Sequence, residues 1–465
     1  MIEPIGVLTM LLCLLSFLLP IYYCTSFLVI SMLLGAASAF TLGGSGNIQP
    51  AHLLLAPFLL IVAREKRFNY DVQQALRFPS AGFWLFAYLI YGIICAAIMP
   101  RIFGGAAVIM SIGSTRFGGN SPTPVPLTPT SGNINQSIYL LSDVLCFLAF
   151  YSFCSIRKNF MFVGRLFFTL AALNIVFAAI DFITSITNTG FLLDPIRNAD
   201  YELHLEENVG GLRRIVGSFT ETSLFSFYTI GSFSYTFSLY LSGKWVFLSS
   251  LCSIISLLLL IISTSGTAYA ALVPVLAIFY IYCSVKALRG ECSAPGAVYL
   301  IAAPLLLTNL VLFIALNPMI SRSVMEFIDV TVLSKSQGQS GIERSEWNKI
   351  GMQNFYATFG LGSGIGTTRV SSWLVAVLSS TGIPGAFFMT GFIWACCRRD
   401  RIEDFWIVCL KNAARFSCLG YLVAAALSFS LVDLRLPFFA LAALSASKPN
   451  SKTPYSSPHS GDPTS

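Results

Sequence analysis

The stretch around which the chain is organised is polar and glycine-rich, and it reads KSQGQSGIERSEWNKIGMQNFYATFGLGSGIGTTRVSS over residues 335–372. Long apolar segments flank it on both sides. It carries the charges of Arg344 and Arg369, the indole of Trp347 and the glycine run GLGSGIG at 360–366. Because charges, glycines and hydroxyls are concentrated in this one loop, we expect the protein to act there, with the apolar segments as its frame.

The rest of the chain has the composition of a membrane protein. Of its 465 residues, 55% are hydrophobic and 11% are charged, and the mean hydropathy is +0.75. A soluble domain averages about 25% charged residues. A bilayer leaves no partner for unpaired backbone groups, so spanning segments of this kind are helices. The sequence therefore predicts an all-α, polytopic membrane helix bundle of about 12–14 transmembrane segments.

Thirteen apolar segments are candidate spans, and the large external loop lies between the tenth and the eleventh. The third and the last are short enough to be re-entrant or interfacial. The first lacks a basic start and a cleavage pattern, so we interpret it as a retained span and not as a signal peptide. The predicted transmembrane domain covers residues 1–447, and residues 448–465 form a disordered cytoplasmic tail. The segments are 5–22, 25–42, 50–63, 80–99, 137–155, 164–185, 219–241, 246–263, 268–285, 298–316, 373–396, 412–431 and 436–447.

Basic residues near the span ends orient the bundle, because short cytoplasmic loops carry an excess of lysine and arginine. This rule places the N-terminus outside, with external loops at 100–136, 187–217 and 317–372 and a short external turn at 433–435. Within the first loop, residues 118–133, GGNSPTPVPLTPTSGN, are predicted to be a mobile solvated segment. The basic residues that this rule places in the cytoplasm are Arg64, Lys66, Arg67, Arg77, Arg157, Lys158, Arg165, Lys244, Lys286, Arg289, Arg398, Arg399, Arg401, Lys411, Arg415, Lys448 and Lys452.

The second external loop ends in a pair of arginines followed by an acidic residue at the start of a span. Arg213 and Arg214 precede the segment, and Glu221 lies just inside it. A carboxylate is costly to place unpaired in a membrane, which favours an ion pair between Glu221 and these arginines at the outer rim. The alternative is that the arginines are interfacial residues whose charged ends reach water.

The third external loop holds the other candidate site residues. Arg344 and Arg369 flank the glycine run, and a guanidinium can hold two phosphate oxygens. Trp347 would stack on a sugar ring or anchor the loop at the interface. Glycines let a backbone approach a ligand or another helix and expose amides that suit anions. We therefore predict anion binding by the run, through Gly362, Gly364 and Gly366.

Several residue types are present without a pattern that indicates a site. The twelve cysteines lie in apolar segments or predicted cytoplasmic loops, which favours packing over disulfides. Three scattered histidines, His52, His204 and His459, do not predict a metal site, and no other feature predicts a cofactor. Asp143 and Asp181 are placed towards the outer ends of their spans, where a structural hydrogen bond is favoured over a proton relay.

Three segments together resemble the bacterial O-antigen polymerase and O-antigen ligase superfamily, which includes exopolysaccharide polymerases. RRIVGSFTETSLF at 213–225 is similar to the arginine, glycine, phenylalanine and acid that open a mid-chain span in these proteins. STSGTAYAAL at 263–272 is similar to their hydroxyl-rich turn. Residues 343–385 resemble their large periplasmic loop, followed by a span interrupted at Gly-Ile-Pro-Gly. The turn lacks the arginine that many members carry. In addition, no histidine lies near 370–373, and this missing histidine favours a polymerase over a ligase.

The resemblance implies a metal-independent glycosyltransferase on the periplasmic face of the bacterial inner membrane. Its donor would be an undecaprenyl-pyrophosphate-linked oligosaccharide held within membrane lipid. Arg214 and Arg344, with Arg213 and Arg369, would stabilise the leaving pyrophosphate. Glu221 would act as a general base or orient an arginine. A chain-length regulator and a flippase are the expected protein partners, and no nucleic acid is expected.

Three alternatives remain open on the sequence, and one of them is a purely structural or sensory membrane protein. A ligase of the same superfamily would transfer the finished chain to another acceptor. A transporter or flippase for a lipid-linked sugar would carry charges deep within its spans. Because the charges seen in the sequence crowd at the outer rim, we expect a surface reaction in which Arg344 and Arg369 come near Arg214 and Glu221.

Overall fold

A computed structural model describes residues 3–41, 47–118, 123–199, 208–209, 212–328, 339–398 and 404–449. These residues are mostly helical, and their strands are limited to two-residue antiparallel pairs, β1–β2, β3–β4 and β5–β6. The strands are β1 Phe40–Thr41, β2 Asn47–Ile48, β3 Val108–Ile109, β4 Val125–Pro126, β5 Asn208–Val209 and β6 Leu212–Arg213. The helices are α1 Pro4–Leu18, α2 Ile21–Ser31, α3 Pro50–Ala63, α4 Phe68–Leu76, α5 Ala81–Ile102, α6 Ser131–Phe153, α7 Arg157–Ile186, α8 Thr222–Leu241, α9 Val246–Ile262, α10 Gly266–Leu288, α11 Ala294–Leu316, α12 Pro318–Ile328, α13 Gln339–Ala357, α14 Trp373–Cys397, α15 Phe405–Ser428 and α16 Arg435–Ala446.

The prediction of an all-α membrane bundle is confirmed at the level of its helices. Each of the thirteen predicted segments overlaps a helix, but the second, 25–42, is helical only as far as Ser31. Within the described residues, seven helices are long and apolar enough to cross a membrane, namely α5, α6, α7, α10, α11, α14 and α15. Five shorter apolar helices, α1, α2, α3, α9 and α16, accompany them. The number that actually spans the bilayer stays a prediction.

Helix α8 lies at the centre of the bundle. Most of its side chains are buried, including hydroxyls that bond back to the preceding turn, such as Thr229 Oγ1 to the Phe225 carbonyl at 2.7 Å. It approaches α15 closely, because Ser417 Oγ donates to the Gly231 carbonyl at 2.8 Å. Small residues permit such close helix contacts in membranes. A hydroxyl-rich helix is therefore stable here because protein, and not lipid, surrounds it.

The segments that were placed in the cytoplasm because of their basic residues meet at one end of the bundle. Arg157, at the start of α7, pairs with Asp404, which caps α15, at 2.6 Å. Lys244, between α8 and α9, lies 3.9 Å from the centre of the Trp406 ring. This shared end agrees with the alternation of loops that the basic residues predicted.

The prediction of a mobile segment at 118–133 is wrong for its described part, residues 123–133. Val125 and Leu127 are buried with Ile109 in a small core beside the β3–β4 pair. Thr130 begins α6 through a capping box, its backbone N–H donating to Asn133 Oδ1 at 2.8 Å. Polar side chains thus supply the hydrogen bonds that order a segment with little apolar mass.

Other boundaries of the predicted loops also change. Helix α6 begins at Ser131, inside the predicted loop 100–136, and the loop 317–372 contains the two helices α12 and α13. Most of the predicted disordered tail, residues 450–465, lies outside the described residues. Residues 335–338, at the start of the glycine-rich stretch 335–372, also lie outside them.

Candidate functional site

A buried aspartate at the end of α7 holds the loop that carries the arginine pair. Asp181 accepts hydrogen bonds from Arg197 Nη2 at 2.7 Å and from the backbone N–H groups of Val216 and Gly217 at 2.8 and 3.0 Å. The side chains of Arg197 and Asp181 are 4% and 3% exposed. Such a buried, multiply bonded pair fixes geometry because breaking it strands a charge. Asp181 therefore has the structural role that the sequence favoured.

This network sets the position of the arginine pair. Arg213 Nη2 lies 3.8 Å from Asp181 Oδ1, and its side chain is one-third exposed. Arg214 is near enough to Tyr269, at the start of α10, to interact with it electrostatically. Two of the segments singled out in the sequence, 213–221 and 263–272, are therefore brought together at one end of the bundle.

The turn between α9 and α10, a few residues before Tyr269, contributes buried hydroxyl groups at the same end of the bundle. Thr264 and Ser265 are each 1% exposed, and the oxygen of each hydroxyl has no hydrogen-bond partner in the described structure. Thr264 also has a φ of +50°, which is unfavourable for a β-branched residue. Buried unpaired hydroxyls and backbone strain are both costly, and they gather at ligand sites. We call Arg213, Arg214, Thr264 and Ser265 the cationic turn.

Glu221 lies at the N-terminus of α8, but not in the expected ion pair. Its carboxylate accepts a hydrogen bond from the hydroxyl of Ser223. In the described residues, the acid that pairs with Arg213 is Asp181. The expected pairing of Glu221 with the arginines is therefore wrong in this part of the chain, because the loop turns Arg213 towards α7. The helix N-terminus still favours a negative charge at Glu221, and a general-base role for this residue stays a prediction.

Arg344, Arg369 and Trp347 lie on the exposed side of α13 and of the segment that follows it. The Arg369 guanidinium covers the Trp347 ring at 5.4 Å, as a cation–π pair. Arg344 is exposed on α13. The backbone N–H of Ser371 donates to Asn348 Oδ1 at 2.8 Å, which holds the end of the stretch against α13. These side chains are accessible to a ligand, and their predicted roles remain predictions.

The glycine run packs inside the protein. A Cβ on Gly362 would lie 2.5 Å from the Ser380 carbonyl, and one on Gly366 would lie 2.2 Å from the Gly132 carbonyl. The amides of Gly362 and Gly364 donate to Thr358 Oγ1 and to the Ser380 carbonyl at 3.2 and 3.0 Å. These glycines therefore serve close packing, and the geometry lends no support to a substrate-binding role for Gly362, Gly364 and Gly366.

The run docks into a break in α14, and the break lies at the Gly-Ile-Pro-Gly sequence, where the resemblance implied an interrupted span. Gly382 has a φ of +62°, and the next backbone N–H, that of Ile383, leaves the helix to donate to the Gly360 carbonyl at 2.8 Å. On the other side, Asn133 Nδ2 donates to the Ile365 carbonyl at 2.7 Å. The glycine-rich stretch at 335–372 thus joins α6 to the broken helix α14.

The two predicted halves of the site share a neighbour. Near the start of α8, Phe227 stacks on Phe429 at 4.5 Å. At the start of α14, Trp373 Nε1 donates to the Val432 carbonyl at 3.0 Å. Both helix starts therefore pack on the segment between α15 and α16. Within the described ranges, however, no hydrogen bond or ion pair joins Arg344 or Arg369 to Glu221, so their predicted proximity has no direct contact behind it.

One polar group was missed on the sequence. Asp143 is the thirteenth of the 23 residues of α6, well inside the helix and not at its outer end, because α6 begins earlier than predicted. It faces Asp433 and Arg435, which were interpreted as a simple external turn, and His52, which was set aside as isolated, lies with them. Ionisable residues within apolar segments were the signal that could have found this group.

Neither family models nor curated proteins match the chain. Its function is therefore inferred from its own residues and their geometry.

Proposed function

We propose that the protein is a membrane polysaccharide polymerase that joins undecaprenyl-pyrophosphate-linked oligosaccharide repeats on the periplasmic face of the bacterial inner membrane. The observation that carries the proposal is the cationic turn. The Asp181–Arg197 pair fixes the arginine segment. Arg214 interacts electrostatically with Tyr269, which follows a turn whose two buried hydroxyls lack partners in the described structure. Two hydroxyls with unused hydrogen-bonding capacity, at the same end of the bundle as a positively charged segment, suit an anion.

The chemistry assigns each group a part. A hydroxyl of the acceptor repeat attacks the anomeric carbon of the donor, and the bond from that carbon to the pyrophosphate oxygen breaks. Charge then develops on the leaving lipid pyrophosphate, where the guanidinium of Arg214 and the hydroxyls of Thr264 and Ser265 donate hydrogen bonds. The acceptor proton passes to a base, for which Glu221 at the start of α8 is our candidate.

The exposed residues of the third loop would act before the transfer step, when the protein captures the donor. Arg344 and Arg369 add positive charge at the surface, and the edge of Trp347 offers an apolar contact for a sugar. Charge at an exposed surface speeds encounter more than it stabilises a transition state. Loss of Arg344 should therefore reduce the rate less than loss of Arg214.

The test is deletion of the gene in its host, followed by separation of surface polysaccharide by length. A polymerase predicts loss of long chains with single repeats retained. Full-length chains that stay on the lipid carrier would instead indicate a ligase, and lipid-linked repeats that accumulate in the cytoplasm would indicate a flippase. Unchanged polysaccharide would contradict all three.

Complementation with variants then tests the site itself. Arg214→Ala should lower chain growth by about 100-fold, the effect of removing one preorganised donor. The control is Arg116→Ala, which removes another predicted external arginine, one that stacks on Phe117 at 4.8 Å. Both variants should insert normally in the membrane. Equal chain growth in the two would contradict the assignment of the cationic turn.

A further inference from the structure

A second polar group lies where the segment between α15 and α16 meets α6. Asp143 is fully buried, and neither of its carboxylate oxygens has a hydrogen-bond donor in the described structure. The carboxylate of Asp433, 4% exposed, lies within hydrogen-bonding reach of it. Carboxylates only accept hydrogen bonds, so the two can bond to each other only if one of them carries a proton.

Other elements also face this pair. Arg435 follows Asp433, donates its backbone N–H to Asp433 Oδ1 at 2.5 Å and acts electrostatically on Asp143. His52 from α3 interacts with Asp433 and Arg435, and its Nδ1 is buried without a partner in the described residues. Tyr88 from α5 and Tyr228 from α8 present their phenol groups. We call Asp143, Asp433, Arg435 and His52 the aspartate cluster.

The charges of the aspartate cluster do not balance. Two carboxylates face one guanidinium, and Arg435 is the one permanent cation among the described groups that act on Asp143. An uncompensated negative charge in an apolar interior is strongly unfavourable. The cluster therefore needs one further positive charge, which a single monovalent cation supplies.

We propose that the aspartate cluster is a cation-binding site within the membrane and that its occupant is one proton, shared between the carboxyl groups of Asp143 and Asp433. The proton provides the donor that Asp143 lacks in the described structure, and it leaves the cluster neutral. A metal ion is disfavoured, because the described residues contain no group of three or more histidine, cysteine, aspartate or glutamate side chains arranged to hold one.

The proton would keep a short helix in place. Helix α16 has 12 residues, about 18 Å of helix, which is too short to cross a bilayer unaided. Cys146 Sγ, one turn along α6 from Asp143, contacts the Leu436 carbonyl at 3.8 Å. Loss of the proton would set two like charges between α6 and the start of α16. This inference does not rest on the proposed transferase activity.

The first test measures unfolding of the full-length protein in bicelles as a function of pH. The aspartates of the unfolded chain reach water and are already ionised at neutral pH, so the native state binds one more proton than the unfolded state. Stability should then fall as pH rises, with the unfolding equilibrium constant increasing about tenfold per pH unit. Asp143→Asn, of the same shape, should remove this dependence and remain folded at neutral pH.

His52→Gln is the matched control, because the histidine is the other group that could hold the proton. The dependence should survive in this variant. A dependence that persists in Asp143→Asn, or that vanishes in His52→Gln, would overturn the proposal.

The second test is infrared spectroscopy of the wild type and Asp143→Asn in H₂O and D₂O. We expect the wild type to show the C=O stretch of a buried protonated carboxyl group, shifted in D₂O, and Asp143→Asn to lack it. The assignment of a proton would be overturned if the wild type lacked this band and were stabilised more by NaCl than by KCl at equal ionic strength. That result would indicate a sodium site.

Discussion

The glycine run at 360–366 and the cationic turn are both rich in polar groups, but the structure uses them differently. In the run, the amides of Gly362 and Gly364 are bonded within the protein, and the backbone packs against α14 and α6. In the cationic turn, the hydroxyls of Thr264 and Ser265 are buried and have no partner among the residues that the structure describes. The density of glycines therefore marks a packing joint, whereas unused hydrogen-bonding capacity marks the candidate site.

The largest effect should come from the support of the cationic turn. Arg197→Ala leaves Asp181 buried without its main charge partner and should lower the free energy of unfolding by about 3–5 kcal/mol. Arg157→Ala, the control, breaks an ion pair with Asp404 whose side chains are 47% and 28% exposed. That change should cost about 0.2–1 kcal/mol. Equal losses of stability in the two variants would mean that the Asp181 network does not fix the loop.

The glycine run is tested by adding a single methyl group. Gly366→Ala places a Cβ 2.2 Å from the Gly132 carbonyl at a φ of +77°, so overpacking and backbone strain together should cost about 3 kcal/mol. Gly105→Ala has the same backbone strain, with a φ of +76°, but meets nothing within 4 Å. It should cost about 1–2 kcal/mol. Thermal unfolding in detergent measures both, and a Gly366 variant as stable as the Gly105 variant would argue that the run is open to a ligand.

The unpartnered hydroxyls should act in the opposite direction on stability and on activity. Thr264→Val keeps the shape of the side chain and removes a buried hydroxyl, so the protein should gain about 1 kcal/mol of stability. Chain growth should fall about tenfold, because the hydroxyl no longer donates a hydrogen bond to the charged pyrophosphate, which contributes about 1.5–3 kcal/mol. Full activity together with higher stability would show that the hydroxyl has no part in the reaction.

The smallest effect concerns the opposite end of the bundle. The hydrogen bond from Arg157 lowers the pKa of Asp404 below its ordinary value. A lowered pKa contributes stability that is present above the ordinary aspartate value of about 3.9 and lost as pH falls through the lowered value. The difference in unfolding temperature between the wild type and Arg157→Ala should therefore be small at neutral pH and disappear in acid. A difference that grew in acid would contradict the assigned pairing.

Much of the fold followed from the apolar pattern, because bilayer thickness sets the length of spanning helices. The structure of the polar segments could not be predicted from that pattern. Helix α6 starts six residues before its predicted span, through a capping box that hydropathy does not register. Helix α13 is polar along its length, so it was assigned to a loop.

Part of the candidate site could likewise be predicted from the sequence, and part could not. The arginine segment was identified because charges at the rim of an apolar span are costly, and its partner turn was known only by resemblance. The pairing of Arg197 with Asp181, 16 residues apart, and the meeting of Asp143 with Asp433 depend on the path of the loops. No local pattern in the chain specifies that path.

The central claim is that the cationic turn, and not the glycine-rich stretch, binds the pyrophosphate. The most direct measurement is the affinity of the full-length protein in nanodiscs for farnesyl pyrophosphate, a short isoprenoid pyrophosphate. Arg214→Ala should weaken binding by about tenfold or more, since a hydrogen bond to a charged group contributes about 1.5–3 kcal/mol. Arg344→Ala, which alters the exposed face of α13, should weaken it by less than about threefold. Unchanged binding in Arg214→Ala with a tenfold loss in Arg344→Ala would contradict the claim and return the site to the stretch at 335–372.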